Sequence, residues 1–164
     1  MSVADSHVTL GTVLGQTLLE TGYRIVTAES CTGGLVAAAI TAIAGSSDWF
    51  ERGFVTYSNR AKEEMLGVPG DLIADLGAVS EPVVRMMAEG ALENSNAHIA
   101  VAITGVAGPG GGTPMKPVGT VHIATARTNH GLQHRQEFFE VEDRVGIQLA
   151  AVEVALQMLR DRMT

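Results

Sequence analysis

The chain has 164 residues, of which 46% are hydrophobic and 18% are charged, and its formal net charge is −7. This length and composition predict a single ordered domain, residues 1–164, whose core is large enough to be stable without disulfides or structural metals. The negative charge argues against a nucleic-acid-binding surface, which needs clustered Lys and Arg, but it is compatible with a small anionic ligand held by one or two arginines.

Cysteine content and the N-terminal sequence indicate the compartment. Cys31 is the only cysteine, so we expect neither an internal disulfide nor a cysteine-rich metal site. The first ten residues lack a basic segment followed by an apolar run, and no apolar run reaches transmembrane length. We therefore expect a cytoplasmic protein with no metal and no membrane partner. The sequence leaves open whether the chain forms a homo-oligomer.

The first part of the chain alternates between helical and strand patterns. Apolar spacing and cap residues predict, in order, a helix over 8–21, a strand over 24–28, a helix over 35–43, a strand over 53–57, a helix that carries Lys62 and ends near Gly67, a helical turn over 71–77 and a helix over 83–94. Ser58 or Asn59 is expected to cap the helix that carries Lys62, and Ser80 to cap the helix that begins near Pro82.

The second part predicts the centre and one end of a sheet. Residues 97–103 are nearly continuously apolar, as expected of a strand that is buried on both faces. Two later strands, over 118–126 and 132–139, are expected to form an antiparallel hairpin, and a last helix follows Asp143. The alternation of helices and strands predicts the α/β class, with a three-layer α/β/α sandwich around a mixed, mostly parallel sheet.

Two glycine-rich segments are candidate ligand loops because each follows a predicted strand. The first, residues 29–34, joins a strand to a helix, where backbone N–H groups and the helix dipole favour an anion. It lacks the lysine and the spacing of a Walker A loop. The second, residues 104–114, follows the central strand, where open α/β sheets bind their ligands.

The segment 45–62 holds the most reactive side chains. Ser46 and Ser47 follow a glycine, Tyr57 ends a predicted strand, and Lys62 lies one helical turn after Ser58. A buried, neutral lysine can act as a base toward a serine hydroxyl. From spacing alone, an ordinary loop with a cap serine and a solvated lysine remains the alternative.

Five motifs occur together along the chain: TAESCTGG (27–34), GSSDWFERGFVTYSNRAK (45–62), GAVSEPV (77–83), AITGVAGPGGG (102–112) and KPVGTV (116–121). In this order and at these separations the motifs resemble the CinA C-terminal-domain family, and the resemblance covers essentially the whole chain. Larger CinA proteins carry a further N-terminal domain, similar to molybdopterin-binding domains, and we expect this chain to be the stand-alone form.

The resemblance implies amidohydrolysis. Family members convert nicotinamide mononucleotide to nicotinate mononucleotide and ammonia, and no cofactor is implied. It implies Ser47 as the nucleophile, with Lys62 and Tyr57 as its catalytic partners. It also implies contacts to the pyridine nucleotide by Ser30, Thr32, Gly33, Gly45, Ser46, Thr104, Gly105 and Arg144. The guanidinium of Arg144 suits the nucleotide phosphate, and backbone N–H groups of residues 45–47 are expected to hold the oxyanion.

Two other readings of the sequence compete with this one. In the first, Cys31 is the nucleophile, since a thiolate is inherently more reactive and Cys31 lies near a predicted helix start. In the second, the chain is a non-catalytic nucleotide-binding regulatory module linked to competence or DNA damage.

Overall fold

The computed structural model describes residues 3–141 and 143–163. Within these residues the chain forms six α-helices, one short 3₁₀ helix and five strands. The helices are α1 (Val3–Thr21), α2 (Leu35–Thr41), α3 (Asn59–Leu66), α4 (Gly70–Leu76), α5 (Glu81–Glu93) and α6 (Arg144–Asp161), with the 3₁₀ helix at Ser46–Asp48. The strands are β1 (Ile25–Glu29), β2 (Phe50–Val55), β3 (Ile99–Gly105), β4 (Thr120–Arg127) and β5 (Gly131–Phe138).

The five strands form one mixed sheet in the order β2-β1-β3-β4-β5. β1 pairs in parallel with both β2 and β3, whereas β4 is antiparallel to β3 and to β5. Four of the five strands therefore point in one direction, and β4 alone points in the other. This arrangement confirms the predicted mixed sheet and its terminal hairpin.

Helices cover both faces of the sheet. Side chains alternate between the two faces of a strand, and in β3 Ile99, Val101 and Ile103 join the core beneath α1, α2 and α6. Ala100 and Ala102 join the core beneath α3, α4 and α5. All five side chains are buried, so the central strand is apolar throughout, as its sequence predicts. The α/β/α sandwich is thereby confirmed.

The carboxyl ends of β1, β2 and β3 lie at one edge of the sheet because these strands are parallel. The chain beyond each strand stays tied to that edge: the Ser30 N–H donates to the Ile103 carbonyl at 3.0 Å, and the Thr56 N–H donates to the Glu29 carbonyl at 2.8 Å. Trp49 lies at the opposite, amino edge, where its carbonyl accepts from the Ile25 N–H at 2.7 Å. We call these the carboxyl edge and the amino edge.

β2 begins three residues earlier than the sequence pattern suggests. Its pairing with β1 starts at Phe50, and the polar pair Glu51 and Arg52 lies within the strand. β2 is the outermost strand on one side of the sheet. These two side chains reach solvent and form an ion pair with each other at 2.7 Å. An apolar pattern therefore does not reveal this part of the strand.

In the part of the chain that the structure describes, no helix has the length and apolarity needed to cross a membrane.

Candidate active site

A pocket of about 290 Å³ opens at the carboxyl edge. It is lined by residues from five separate segments of the chain: 30–31, 57–62, 78–79, 104–111 and residue 144. A concave site at the ends of parallel strands is the usual ligand site of an open α/β sheet. A larger groove of about 700 Å³ lies near Phe138 and Phe139, but none of the described residues that line it is a serine, lysine or histidine.

Lys62 projects from α3 into the base of this pocket. Ser58 caps α3 by accepting a hydrogen bond at the helix N-terminus. The Lys62 side chain is only 1% exposed. Its Nζ donates to the Ser30 Oγ at 3.0 Å, to the Thr56 carbonyl at 2.8 Å and to the Tyr57 carbonyl at 3.3 Å. The predicted lysine therefore contacts a serine, and that serine is Ser30.

Burial shifts the protonation equilibrium of Lys62 toward the neutral form. Burial lowers the pKa of Lys62 below its ordinary value, because removing an ammonium from water disfavours the charged state. A neutral amine has two N–H bonds and one lone pair. When both N–H bonds are directed at the carbonyls of Thr56 and Tyr57, the lone pair is directed at Ser30. This geometry suits an amine that accepts the proton of the serine hydroxyl.

Ser30 lies in the tight turn between β1 and α2. The N–H of Gly33 donates to the Ser30 carbonyl at 3.0 Å, and both Gly33 and Gly34 have positive φ angles, 56° and 105°. Glycine adopts such angles without the steric cost that a Cβ would add. Thr32 does not line the pocket, and its hydroxyl donates to the Glu29 carboxylate at 2.6 Å. This strand–turn–helix unit places Ser30, which is 8% exposed, in the lining of the pocket.

Ser47 does not lie in this pocket. It belongs to the 3₁₀ helix that precedes β2, at the amino edge, whereas Tyr57 and Lys62 follow β2 at the carboxyl edge. The six residues of β2 separate the two ends by about 20 Å. Ser47 is exposed to solvent, and the predicted pairing of Ser47 with Lys62 is not formed in this structure.

Gly45 and Ser46 lie at the amino edge with Ser47. Gly45 has a φ of 88° and precedes the 3₁₀ helix. Ser46 is buried, and its hydroxyl donates to the Thr41 carbonyl at 3.3 Å. Both residues therefore shape the connection between α2 and β2. The structure does not bring them to the pocket, and the same holds for the predicted oxyanion donors of residues 45–47.

Tyr57 and Arg144 form the rim of the pocket. The Tyr57 side chain is 58% exposed, and its hydroxyl accepts a hydrogen bond from Arg144 Nη2 at 2.5 Å. Arg144 Nη1 donates to the Gly108 carbonyl at 2.7 Å. The Tyr57 carbonyl faces Lys62 while its hydroxyl faces Arg144. The prediction that the first turn of the last helix faces the ligand edge agrees with this position.

Thr104 and Gly105 also line the pocket, at the end of β3. The Thr104 hydroxyl donates to the Ala78 carbonyl at 3.0 Å and so ties β3 to the loop before α5. A Cβ at Gly105 would lie 2.9 Å from the Thr120 carbonyl oxygen, so the close approach of β4 requires glycine here. Gly33 follows Ser30 in the first turn but does not line the pocket.

Among the residues that line the pocket, the pair 78–79 has no role in the sequence-based predictions. Asn59 is predicted only as a possible helix cap, and residues 106–108, 110 and 111 only as part of the second candidate ligand loop. The signal for 78–79 lies in the GAVSEPV motif, which precedes a well-capped helix. The signal for Ser30 as a reactive group was also available, because it is the first residue after a fully buried strand at the carboxyl edge.

Cys31 lines the pocket beside Ser30 but is poorly suited to nucleophilic attack. Burial is the main cause that raises the pKa of the Cys31 thiol to about 12, and the nearby Glu29 carboxylate adds to it. A thiol with such a pKa is almost entirely protonated at neutral pH, and the thiolate is the reactive form.

We therefore expect Cys31→Ser to keep activity within about threefold of the wild type, because a thiol that stays protonated contributes no nucleophile. The measurement is kcat/KM of the two proteins at the same pH with nicotinamide mononucleotide, the substrate that the resemblance implies. A loss of more than about 100-fold in a folded Cys31→Ser protein would instead favour the cysteine mechanism.

Comparison with known protein families shows which family the chain belongs to. Residues 7–163 match the model of the CinA C-terminal domain. The chain belongs to this family. The structure of the competence/damage inducible protein CihA from Agrobacterium tumefaciens superposes with a TM-score of 0.94 at 47% identity, and the match covers 95% of this chain and 94% of that one.

Two relatives show the range of lengths in which this domain occurs. The nicotinamide-nucleotide amidohydrolase PncC of Escherichia coli is 54% identical over 146 residues, which are 89% of this chain and 88% of that protein. A CinA-like protein of Akkermansia muciniphila is 62% identical over 109 residues, which are 66% of this chain but 26% of that protein. The chain thus spans only a quarter of this longer relative.

Proposed function

We propose that this CinA-domain protein is an amidohydrolase that converts nicotinamide mononucleotide to nicotinate mononucleotide and ammonia, with Ser30 as the nucleophile and Lys62 as the general base. The observation that carries the proposal is the buried Lys62 Nζ, 3.0 Å from the Ser30 Oγ at the pocket. The substrate class is supported by the amidohydrolase name of the E. coli relative.

The first half of the reaction forms an acyl-enzyme. Neutral Lys62 accepts the proton of Ser30, and the Ser30 Oγ attacks the carboxamide carbon to give a tetrahedral oxyanion. Backbone N–H groups of the turn that follows Ser30 are the donors we assign to this oxyanion, because they lie at the same edge as the nucleophile. Lys62 then returns the proton to the leaving nitrogen. The C–N bond breaks, and ammonia departs.

The second half of the reaction restores the enzyme. Lys62 accepts a proton from a water molecule, whose oxygen attacks the ester carbon of the acyl-enzyme. The tetrahedral intermediate collapses, the bond to the Ser30 Oγ breaks, and Lys62 returns the proton to the serine. The product is a carboxylic acid, which ionises to the carboxylate by losing its proton to solvent. Tyr57 as an additional proton donor stays a prediction, since its hydroxyl contacts Arg144 in this structure.

The rim of the pocket suits the remainder of a nucleotide. Arg144 is an exposed guanidinium at the mouth of the pocket, and a guanidinium binds phosphate through charge-assisted, paired hydrogen bonds. Ala78 and Val79 provide apolar surface inside the pocket. The formal charge of −7 is no obstacle to the cationic pyridinium ring of the substrate.

We expect Arg144→Ala to raise KM for nicotinamide mononucleotide and to leave turnover of the dephosphorylated riboside nearly unchanged. Loss of a charge-assisted pair costs about 2 to 3 kcal/mol, which corresponds to about 30- to 150-fold in kcat/KM. The measurement is kcat and KM for both substrates.

Arg160→Ala is the matched control for this prediction. Arg160 lies in the last turn of the same helix, so its removal changes the net charge equally without altering the pocket. An equal loss on both substrates in Arg144→Ala would show that Arg144 acts through its contacts with Tyr57 and Gly108, and not through the phosphate.

The direct test of the proposed function is to mix the purified protein with nicotinamide mononucleotide and to quantify ammonia and nicotinate mononucleotide together. Equimolar release of both products at a rate proportional to enzyme concentration is the expected result. Binding of the nucleotide by calorimetry with no release of ammonia would contradict the proposal, and it would support the non-catalytic regulatory module.

A further inference from the structure

A buried carboxylate lies directly behind the proposed nucleophile. Glu29 is the last residue of β1, and its side chain is 0% exposed. Its Oε1 accepts hydrogen bonds from the Thr32 Oγ1 at 2.6 Å and the Val36 N–H at 2.9 Å, and its Oε2 accepts from the Ala37 N–H at 3.1 Å. All three donors lie in the turn after Ser30 or in the first turn of α2. None of the catalytic steps above uses this carboxylate.

The Glu29 carboxylate caps the N-terminus of α2 from an unusual position, because it lies before the turn that leads into the helix. α2 begins after Gly34, which has no side chain to cap the helix, and Glu29 accepts instead from the N–H groups of Val36 and Ala37 in the first turn. A short polar residue at the cap position itself would meet the same need of the helix. Burying a carboxylate is costly unless it is fully hydrogen-bonded. A requirement for helix capping alone therefore does not explain why the acceptor is the residue before Ser30.

The backbone of Glu29 reaches the base as well. Its carbonyl accepts from the Thr56 N–H at 2.8 Å, and the Thr56 carbonyl in turn accepts from Lys62 Nζ at 2.8 Å. Glu29 is thus covalently next to Ser30 and is one residue removed from Lys62 through hydrogen bonds. Its side chain holds the turn after the nucleophile, and its main chain holds the segment that orients the base.

We propose that Glu29 is a positioning residue that fixes the Ser30 turn, through Thr32, so that the Ser30 Oγ stays within reach of Lys62 Nζ. This inference rests on the proposed role of Ser30 as the nucleophile. The turn contains Gly33 and Gly34, which have wide conformational freedom, so it needs an external restraint. The Thr32 hydroxyl thus serves this restraint and not the substrate, consistent with the 1% exposure of Thr32.

The test compares Thr32→Val with Thr32→Ser, and Glu29→Gln with Glu64→Gln. Valine is isosteric with threonine but lacks the hydroxyl, whereas serine keeps it. Glu29→Gln places an N–H₂ group among hydrogen-bond donors. Glu64 is an exposed carboxylate that pairs only with Arg60 among the described residues, so Glu64→Gln controls for the loss of a negative charge. Two quantities are measured: kcat and KM for nicotinamide mononucleotide, and the rate at which a small fluorophosphonate labels Ser30, followed by mass spectrometry.

We expect Thr32→Val and Glu29→Gln to lower kcat by about 10- to 100-fold, since a misplacement of 1 Å at a reacting group can cost about 10²-fold. KM should stay within about threefold of the wild type, and the labelling rate of Ser30 should fall in parallel with kcat. Thr32→Ser should recover most of the wild-type kcat, and Glu64→Gln should match the wild type in both measurements.

Several outcomes would overturn the positioning role. A raised KM with unchanged kcat in Thr32→Val would make Thr32 a substrate contact, and an unchanged labelling rate in folded Glu29→Gln would remove the need for the carboxylate. Far-UV circular dichroism checks folding; if Glu29→Gln is unfolded, the Thr32 pair decides. Labelling needs no nucleotide. A wild type that is labelled at Ser30 but does not release ammonia would refute only the proposed substrate, whereas a wild type not labelled at Ser30 would refute the positioning role.

Discussion

Replacing Ser30 with alanine is expected to lower kcat for nicotinamide mononucleotide by about 10³-fold or more, whereas Ser47→Ala is expected to remain within about twofold of the wild type. Loss of the attacking oxygen removes the covalent route altogether, and what remains comes from binding and oxyanion stabilisation alone. Ser47 is exposed at the amino edge, so its hydroxyl has no path to a carboxamide in the pocket. The measurement is kcat for the two variants under identical conditions.

The two serine variants control for each other because each removes one hydroxyl. Alanine at position 30 also leaves Lys62 with its two carbonyl acceptors, Thr56 and Tyr57, so we expect the variant to fold. KM or Kd for the nucleotide should change little in Ser30→Ala. If instead Ser47→Ala were inactive and Ser30→Ala active, the nucleophile assigned from the geometry would be wrong.

The second large effect is expected at the base. Lys62→Arg and Lys62→Met should both lose about 10² to 10⁴ in kcat, the usual cost of removing a general base, because guanidinium does not give up its proton at these pH values and methionine carries no basic group. The wild-type rate should rise with pH as Lys62 deprotonates. Burial lowers the pKa of Lys62, so this rise should occur below the ordinary lysine value of about 10.4.

The pH dependence of stability gives an independent check on the same group. Because the Lys62 pKa is lower in the folded than in the unfolded chain, the unfolded state binds more protons between the two values, and the free energy of unfolding rises with pH in that window. Lys62→Met should lose this part of the pH dependence.

An arginine variant that keeps more than about a tenth of the wild-type rate would show that Lys62 supplies charge and not a base. Tyr57→Phe, measured in the same pH series, tests the predicted proton donor.

The layered fold can be predicted from the sequence because its signals are local. A continuously apolar segment such as 97–103 indicates a strand that is buried on both faces, and Ser80 followed by Pro82 marks a helix start. The polar residues Glu51 and Arg52 hide the start of β2, since an edge strand needs no apolar pattern. The same local logic places Arg144 at the first turn of the last helix, and the structure puts that turn at the pocket rim.

The identity of the serine beside Lys62 is not local information. Ser47 and Lys62 are 15 positions apart and Ser30 and Lys62 are 32 apart, but β2 carries the chain away from Ser47 before Lys62 is reached. The parallel pairing of β1 and β2 brings residues 30 and 56 to the same edge. Sequence distance therefore does not indicate which serine lies beside Lys62, whereas the direction of the strands does. The contact between the Tyr57 hydroxyl and Arg144, 87 positions apart, is equally invisible to spacing.

The position of the only tryptophan allows unfolding to be followed separately at the two ends of the strands. Trp49 is 5% exposed and lies at the amino edge, whereas the pocket at the carboxyl edge is assembled from residues as far apart in the chain as 30 and 144. Intrinsic fluorescence and residual catalysis thus monitor opposite ends of the strands in one unlabelled protein. Coincident denaturation curves from the two signals would mean that the sheet melts as one cooperative unit, and an earlier loss of catalysis would mean that the catalytic end opens locally while the far end stays folded.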